Sequence, residues 1–171
     1  MPSWWTKTRK ELPSTFNARA ETITARPMFR DAFRERRCII PASGYYEGKP
    51  TPTGKQPYYI SARDGSILPF AGLWDEWHDP ESGEQIRSCT IIVTDANALT
   101  RPIHKRMPVI LVGAQQTAWL ASAAAATELL RPRQTTCCNC GRCHGGSIGL
   151  ATRMIRSWPR QFTKCPKKRS S

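Results

Sequence analysis

The stretch "RPMFRDAFRERRCIIPASGYYE", Arg26 to Glu47, changes its hydrophobic period halfway along. Its first half sets Met28, Phe29, Ala32 and Phe33 along one helical face, with arginine and glutamate elsewhere. From Cys38 onward the short runs "CIIPA" and "GYYE" are rich in β-branched and aromatic residues and read as strands. Downstream, "PYYIS" (57–61), "PFAGLWDEW" (69–77), "RSCTIIVTDA" (87–96) and "PVILV" (108–112) read as further strands. The separators "KPTPTGKQ", "ARDGS" and "HDPESGE" carry turn chemistry. "AQQTAWLASAAAATELLR" (114–131) reads as one or two alanine-rich helices. No repeat or heptad appears, and the pattern predicts an α+β fold: an antiparallel sheet or partly closed barrel with helices at its edges.

The chain has 171 residues, enough for one domain with a real core. No run approaches a membrane span, and "MPSWWTKTRK" lacks the apolar centre of a signal peptide, so a cytoplasmic protein with reduced thiols is expected. The formal charge of +13 suggests an anionic partner, but ten of the 26 basic residues and none of the 13 acidic ones lie in residues 131–171. That tail also holds five of the seven cysteines and keeps no helical or strand period. Two regions are therefore expected: a domain over 1–130, and a basic, cysteine-rich tail over 131–171 that is disordered or out of frame. Cys137, Cys140, Cys143 and His144 are too closely spaced for a closed tetrahedral metal site, and neither metal nor cofactor is expected.

Four clusters carry groups able to act on a ligand: Pro2–Trp5, Asn17–Glu21, Pro41–Glu47 and Pro102–Pro108. Asn17, Arg19 and Glu21 alternate with alanines, which fits either an extended segment aimed at a substrate or a polar surface edge. Glu47 ends a strand-like run beside two tyrosines, where partial desolvation would favour a retained proton, although a solvated strand end has the same appearance. His104 sits in a proline-bounded loop suited to a rigidly held acid or base, or to a structural role.

The order of these blocks resembles the SOS response-associated peptidase family, the abasic-site processing proteins. "SWW", "NARAET", "PMFRDAFRERRCIIPASGYYE", "KQPYYI", "FAGLWDEW", "SCTIIVTDAN" and "PIHKRMPVIL" follow its pattern over nearly all of residues 1–120. The resemblance implies a β-rich α+β domain that binds single-stranded DNA and links an N-terminal cysteine to the ring-opened sugar of an abasic site, with an associated autopeptidase activity. It also implies a monomer working at the nucleoid. By the same resemblance Asn17, Glu47 and His104 would be catalytic: His104 moving a proton at the sugar, Glu47 holding the α-amine or ring oxygen, Asn17 placing the amine. Arg19 and Arg106 would contact phosphates, and Trp4 or Trp5 would stack at the lesion.

Three departures qualify this. Family members begin Met-Cys-Gly-Arg and carry a further strand before the "SWW" block, so Met1 is expected to be an internal or misassigned start, and this chain to lack the nucleophile. Without it the alternative is a non-catalytic single-stranded DNA-binding module. Cys38 and Cys89 cannot substitute, since amine and thiol must share one terminal residue; both are expected to be buried and inert. The family's aromatic after the glutamate is Gly48 here, which predicts a looser, wetter pocket. After Leu130 the resemblance ends.

Overall fold

A computed structural model of the chain describes residues 2–6, 11, 15–132 and 138–142. The quoted stretch divides as its period demands, into helix α1 (Pro27–Glu35) and strand β2 (Arg37–Ala42). Pro27 suits the first helical turn because its missing N–H would have no intrahelical acceptor. Phe29, Ala32 and Phe33 are buried and Met28 is half-buried.

The remaining strands are β1 (Asn17–Arg19), β3 (Gly44–Thr51), β4 (Gly54–Ala62), β5 (Leu68–His78), β6 (Gln85–Asp95), β7 (Arg106–Pro108) and β8 (Cys138–Arg142). A larger sheet runs β1-β6-β5-β2 with β7 beside β6, and a smaller one runs β3-β4-β8. Every pairing is antiparallel except β1 with β6. The fold is thus α+β, as expected, and the two sheets do not close into a barrel among the described residues.

Alternation along the strands makes three layers. Ala71, Leu73 and Ile92 of the larger sheet pack against Phe29, Phe33, Trp119 and Ala126 of the helices. Leu68 and Phe70, on the opposite face, pack against Ile60, Ala62 and Cys138 of the smaller sheet. The alanine-rich segment forms two helices, α2 (Ala114–Ala121) and α3 (Ala123–Glu128), broken at Ser122, whose hydroxyl accepts the Ala125 N–H at 3.1 Å. Trp119 is fully buried, meets Phe33 edge-on at 5.9 Å, and donates its indole N–H to the Cys38 carbonyl at 2.9 Å. Arg37 ties the helix ends to the sheet. Its guanidinium donates to the carbonyls of Phe33 and Arg34 at 2.6 Å each and of Trp119 at 2.7 Å, groups that helix ends leave unpaired.

The structure departs from expectation in several places. β3 and β4 extend into the expected turn "KPTPTGKQ", leaving only Pro52 and Thr53 between them, and Gly54 takes the positive φ of +133°. The run "PVILV" does not form one strand. After β7, Val109 and Leu111 wedge between diverging parts of β5 and β6: Val109 N–H donates to Ile92 O at 2.9 Å, and Leu111 N–H to Pro69 O at 2.8 Å. Residues 138–142, expected in a structureless tail, form the third strand of the smaller sheet. The period was hidden because its core-facing positions are Cys138 and Cys140, small thiols that pack as apolar groups. Cys137, Cys143 and His144, considered above as metal ligands, lie outside the described residues. Among the described residues no helix is long and apolar enough to cross a membrane.

Candidate functional site

Beyond the wedge, the chain leaves β6 at Asp95 and returns at Arg106, and the intervening loop is held rigidly. The Asn97 carboxamide oxygen accepts the N–H groups of Leu99 and Thr100 and the Thr100 hydroxyl, at 3.0–3.1 Å. The Thr100 carbonyl accepts the His104 N–H at 3.0 Å, and Lys105 O accepts the Ala96 N–H at 2.9 Å. Buried Ile103 and Met107 anchor the loop on either side of His104. Asn97 and Thr100 went unmarked as site-positioning residues; the signal available was an Asn-x-x-Thr turn directly after a strand.

This loop carries His104 to the mouth between the sheets, where β3 supplies Glu47. His104 Nδ1 lies 3.6 Å from Glu47 Oε1 and 3.3 Å from both the backbone nitrogen and the carbonyl oxygen of Arg106. When Nδ1 accepts the Arg106 N–H the neutral ring keeps its proton on Nε2, whereas a charged ring donates from Nδ1 toward the carboxylate. Burial pushes the Glu47 carboxyl above its ordinary value; the positive charge of a protonated His104, the Gly48 N–H and Lys55 act against it. Two opposed influences on one half-buried carboxyl suit a group that exchanges a proton. Gly48 follows Glu47 on the strand and so faces the other side of the smaller sheet, where a Cβ would stand 3.3 Å from Lys55 Cδ.

Arg106 meets two carboxylates, Glu21 at 2.6 Å and Asp95 at 3.4 Å. Glu21 is not on the extended segment predicted for it: the chain bends into a 3₁₀ turn over Ala20–Thr22 after Arg19. The bend keeps Glu21 at the site through Arg106. Asn17 and Arg19 lie opposite Ile91 and Val93, exposed on the face of the larger sheet that continues outward from the mouth, while Ala18 between them is fully buried. The Arg19 side chain makes no hydrogen bond or ion pair with a described residue.

Trp4 and Trp5 are not brought to the Glu47–His104 pair. The Ser3 N–H donates to Asp75 at 3.0 Å, and the Trp77 indole donates to Trp5 O at 2.6 Å. Asp75 pairs with Ser88 and Arg106 with Asp95, seven residues further along β6 and so roughly 23 Å away. The ring on the Asn17 face is Trp74, 40% exposed beside Cys89. Alternation in "GLWDEW" held that signal, with Leu73, Asp75 and Trp77 buried. Cys89 is exposed, against the expectation of burial, because it shares this open face; Cys38 is half-buried. Desolvation raises both thiols, that of Cys38 to about 12, so neither forms a reactive thiolate near neutrality. No group of three or more metal-ligating side chains occurs among the described residues.

The family model for SOS response associated peptidase (SRAP) matches residues 1–143. Abasic site processing protein YoqW of Bacillus subtilis is 43% identical over 117 residues, covering 68% of this chain and 52% of that protein. Abasic site processing protein HMCES of Xenopus tropicalis is 34% identical over 133 residues, covering 66% of this chain and 40% of that protein. A crystal structure of a protein from Bacteroides thetaiotaomicron superposes with a TM-score of 0.74 at 37% identity, covering 79% of this chain and 61% of its own. The chain spans about half the length of these two named relatives. A match over most of its residues, with the fold in agreement, shows that this chain belongs to the SOS response associated peptidase family.

Proposed function

We propose that the mouth between the sheets processes abasic sites in single-stranded DNA. The observation that carries this reading is the placement of Glu47 3.6 Å from His104, on a loop braced by Asn97, next to Arg106. An abasic sugar in its ring-opened form presents an aldehyde. Condensation of an amine with it loses water, which needs a proton delivered to the departing hydroxyl and one taken from the amine. His104, able to donate from a charged ring and accept on a neutral one, serves the sugar oxygen, and Glu47 receives the amine proton. Addition of a thiol on the same terminal residue then closes the imine to a thiazolidine, moving one proton from sulfur to nitrogen.

Arg19 and Arg106 hold the phosphates on either side, giving grip without sequence readout. Asn17, on the same face, positions the amine, and Trp74 offers a base a stacking surface. A polypeptide extended at its amino terminus by the family's Met-Cys-Gly-Arg start and the strand that follows it tests the proton roles. In single-turnover crosslinking to an abasic oligonucleotide, His104→Ala and Glu47→Ala should each slow the reaction by about 100-fold. Unchanged rates in both would remove the proton-transfer assignment, and an extended polypeptide that binds the oligonucleotide without crosslinking to it would leave a single-stranded DNA-binding module.

A further inference from the structure

We propose that Arg142 of β8 is a third phosphate-binding residue, so that the DNA strand crosses the smaller sheet on its way to Glu47 and His104. This rests on the reading of the mouth as a single-stranded DNA site. The register places Glu47 opposite Tyr58, and Tyr58 opposite Arg142. Residues directly opposite one another in neighbouring strands project from the same face, so all three point to the side that meets the larger sheet. The adjacent row, Tyr45–Ile60–Cys140, packs into the core between the sheets. The Arg142 row is one step further out, at the rim. Neighbouring strands stand about 4.8 Å apart, which sets the Arg142 backbone roughly 10 Å from that of Glu47.

The charge of Arg142 is available. It is exposed and forms no ion pair with a described acid, whereas Arg106 is held by both Glu21 and Asp95. The one carboxylate in its row, Glu47, is separated from it by the Tyr58 ring and turned toward His104. A guanidinium in this setting offers a planar fork to a phosphodiester, the geometry for which arginine surpasses lysine. An independent observation places β8 within the functional unit: the family match runs to residue 143 and so includes it.

The test uses the full chain and a labelled single-stranded oligothymidylate, titrated by fluorescence anisotropy at several salt concentrations. Arg142→Ala should weaken binding about three- to tenfold at low salt and make the log–log salt dependence shallower by about 0.7, the share of one phosphate contact. Arg142→Lys should restore the salt slope while leaving part of the affinity lost. Arg131→Ala, which removes an exposed arginine paired with Glu128, should change binding to the oligothymidylate and to a duplex of the same length alike, whereas Arg142→Ala should weaken the single strand selectively. If Arg142→Ala keeps both affinity and slope while Arg19→Ala loses them, the inference fails and the reading of the mouth stands. If the unaltered chain binds no single-stranded DNA at low salt, that reading fails and takes the inference with it.

Discussion

The two faces of strand β6 have opposite characters. Toward the helices it presents Thr90, Ile92 and Thr94, all buried, and the layer beyond is closed by Trp119, Phe33 and the Arg37 guanidinium. Toward the mouth it presents Ile91, Val93 and Asp95, flanked by Asn17, Arg19 and Arg106, with charge and exposure increasing along the strand. One face holds the sheet in place; the other carries groups only partly neutralised by neighbours. Because side chains alternate strictly, a strand can serve both ends without compromise. Mutations on the two faces should therefore separate stability from binding.

The largest expected effect lies on the helix side. Trp119→Ala should lower unfolding free energy by about 3–5 kcal/mol, since it opens a cavity against Phe33 and strands the Cys38 carbonyl that the indole now pairs. Urea unfolding measures it, and a loss under about 1 kcal/mol would mean that this layer does not close the core as described.

A smaller effect belongs to the mouth and depends on pH. Burial raises the Glu47 carboxyl above the ordinary 4.5, so the folded state favours the protonated form. The sign follows: its contribution is fully present below 4.5 and is lost as pH rises through the higher folded value, where ionised Glu47 costs stability. Glu47→Gln should match the parent well below pH 4.5 and become at least as stable above it. Thermal melts across that range check this, and a variant that falls progressively below the parent as pH rises would show that the His104 partnership outweighs desolvation.

The helix over 27–35 and most strands were legible from the sequence, because their periods are local and each buried face is built from ordinary apolar residues. The strand β8 was not, since its inward residues are cysteines in an arginine-rich context. The wedge at Val109–Leu111 was not legible either, because a continuous apolar run gives no sign of where pairing shifts from one neighbour to another. Of the site, Glu47 and His104 were named by resemblance to a family. Their 3.6 Å approach joins two sheets across 57 positions of sequence, and no local pattern encodes that. The stacking role of Trp4 or Trp5 also comes from the resemblance, and Asp75 and Trp77 hold that segment at the far end of β5 from the Glu47–His104 pair.

The most direct test of the two-faced strand is the salt dependence of single-stranded DNA binding by Arg19→Ala, measured by anisotropy alongside its unfolding midpoint. The Arg19 side chain is exposed, has no partner among the described residues, and is neighboured by the fully buried Ala18. Its removal should leave the unfolding midpoint unchanged, weaken binding at low salt, and reduce the salt slope by about 0.7. A variant that binds with the parent's affinity and slope, or that loses stability instead, would contradict the assignment of this face to DNA.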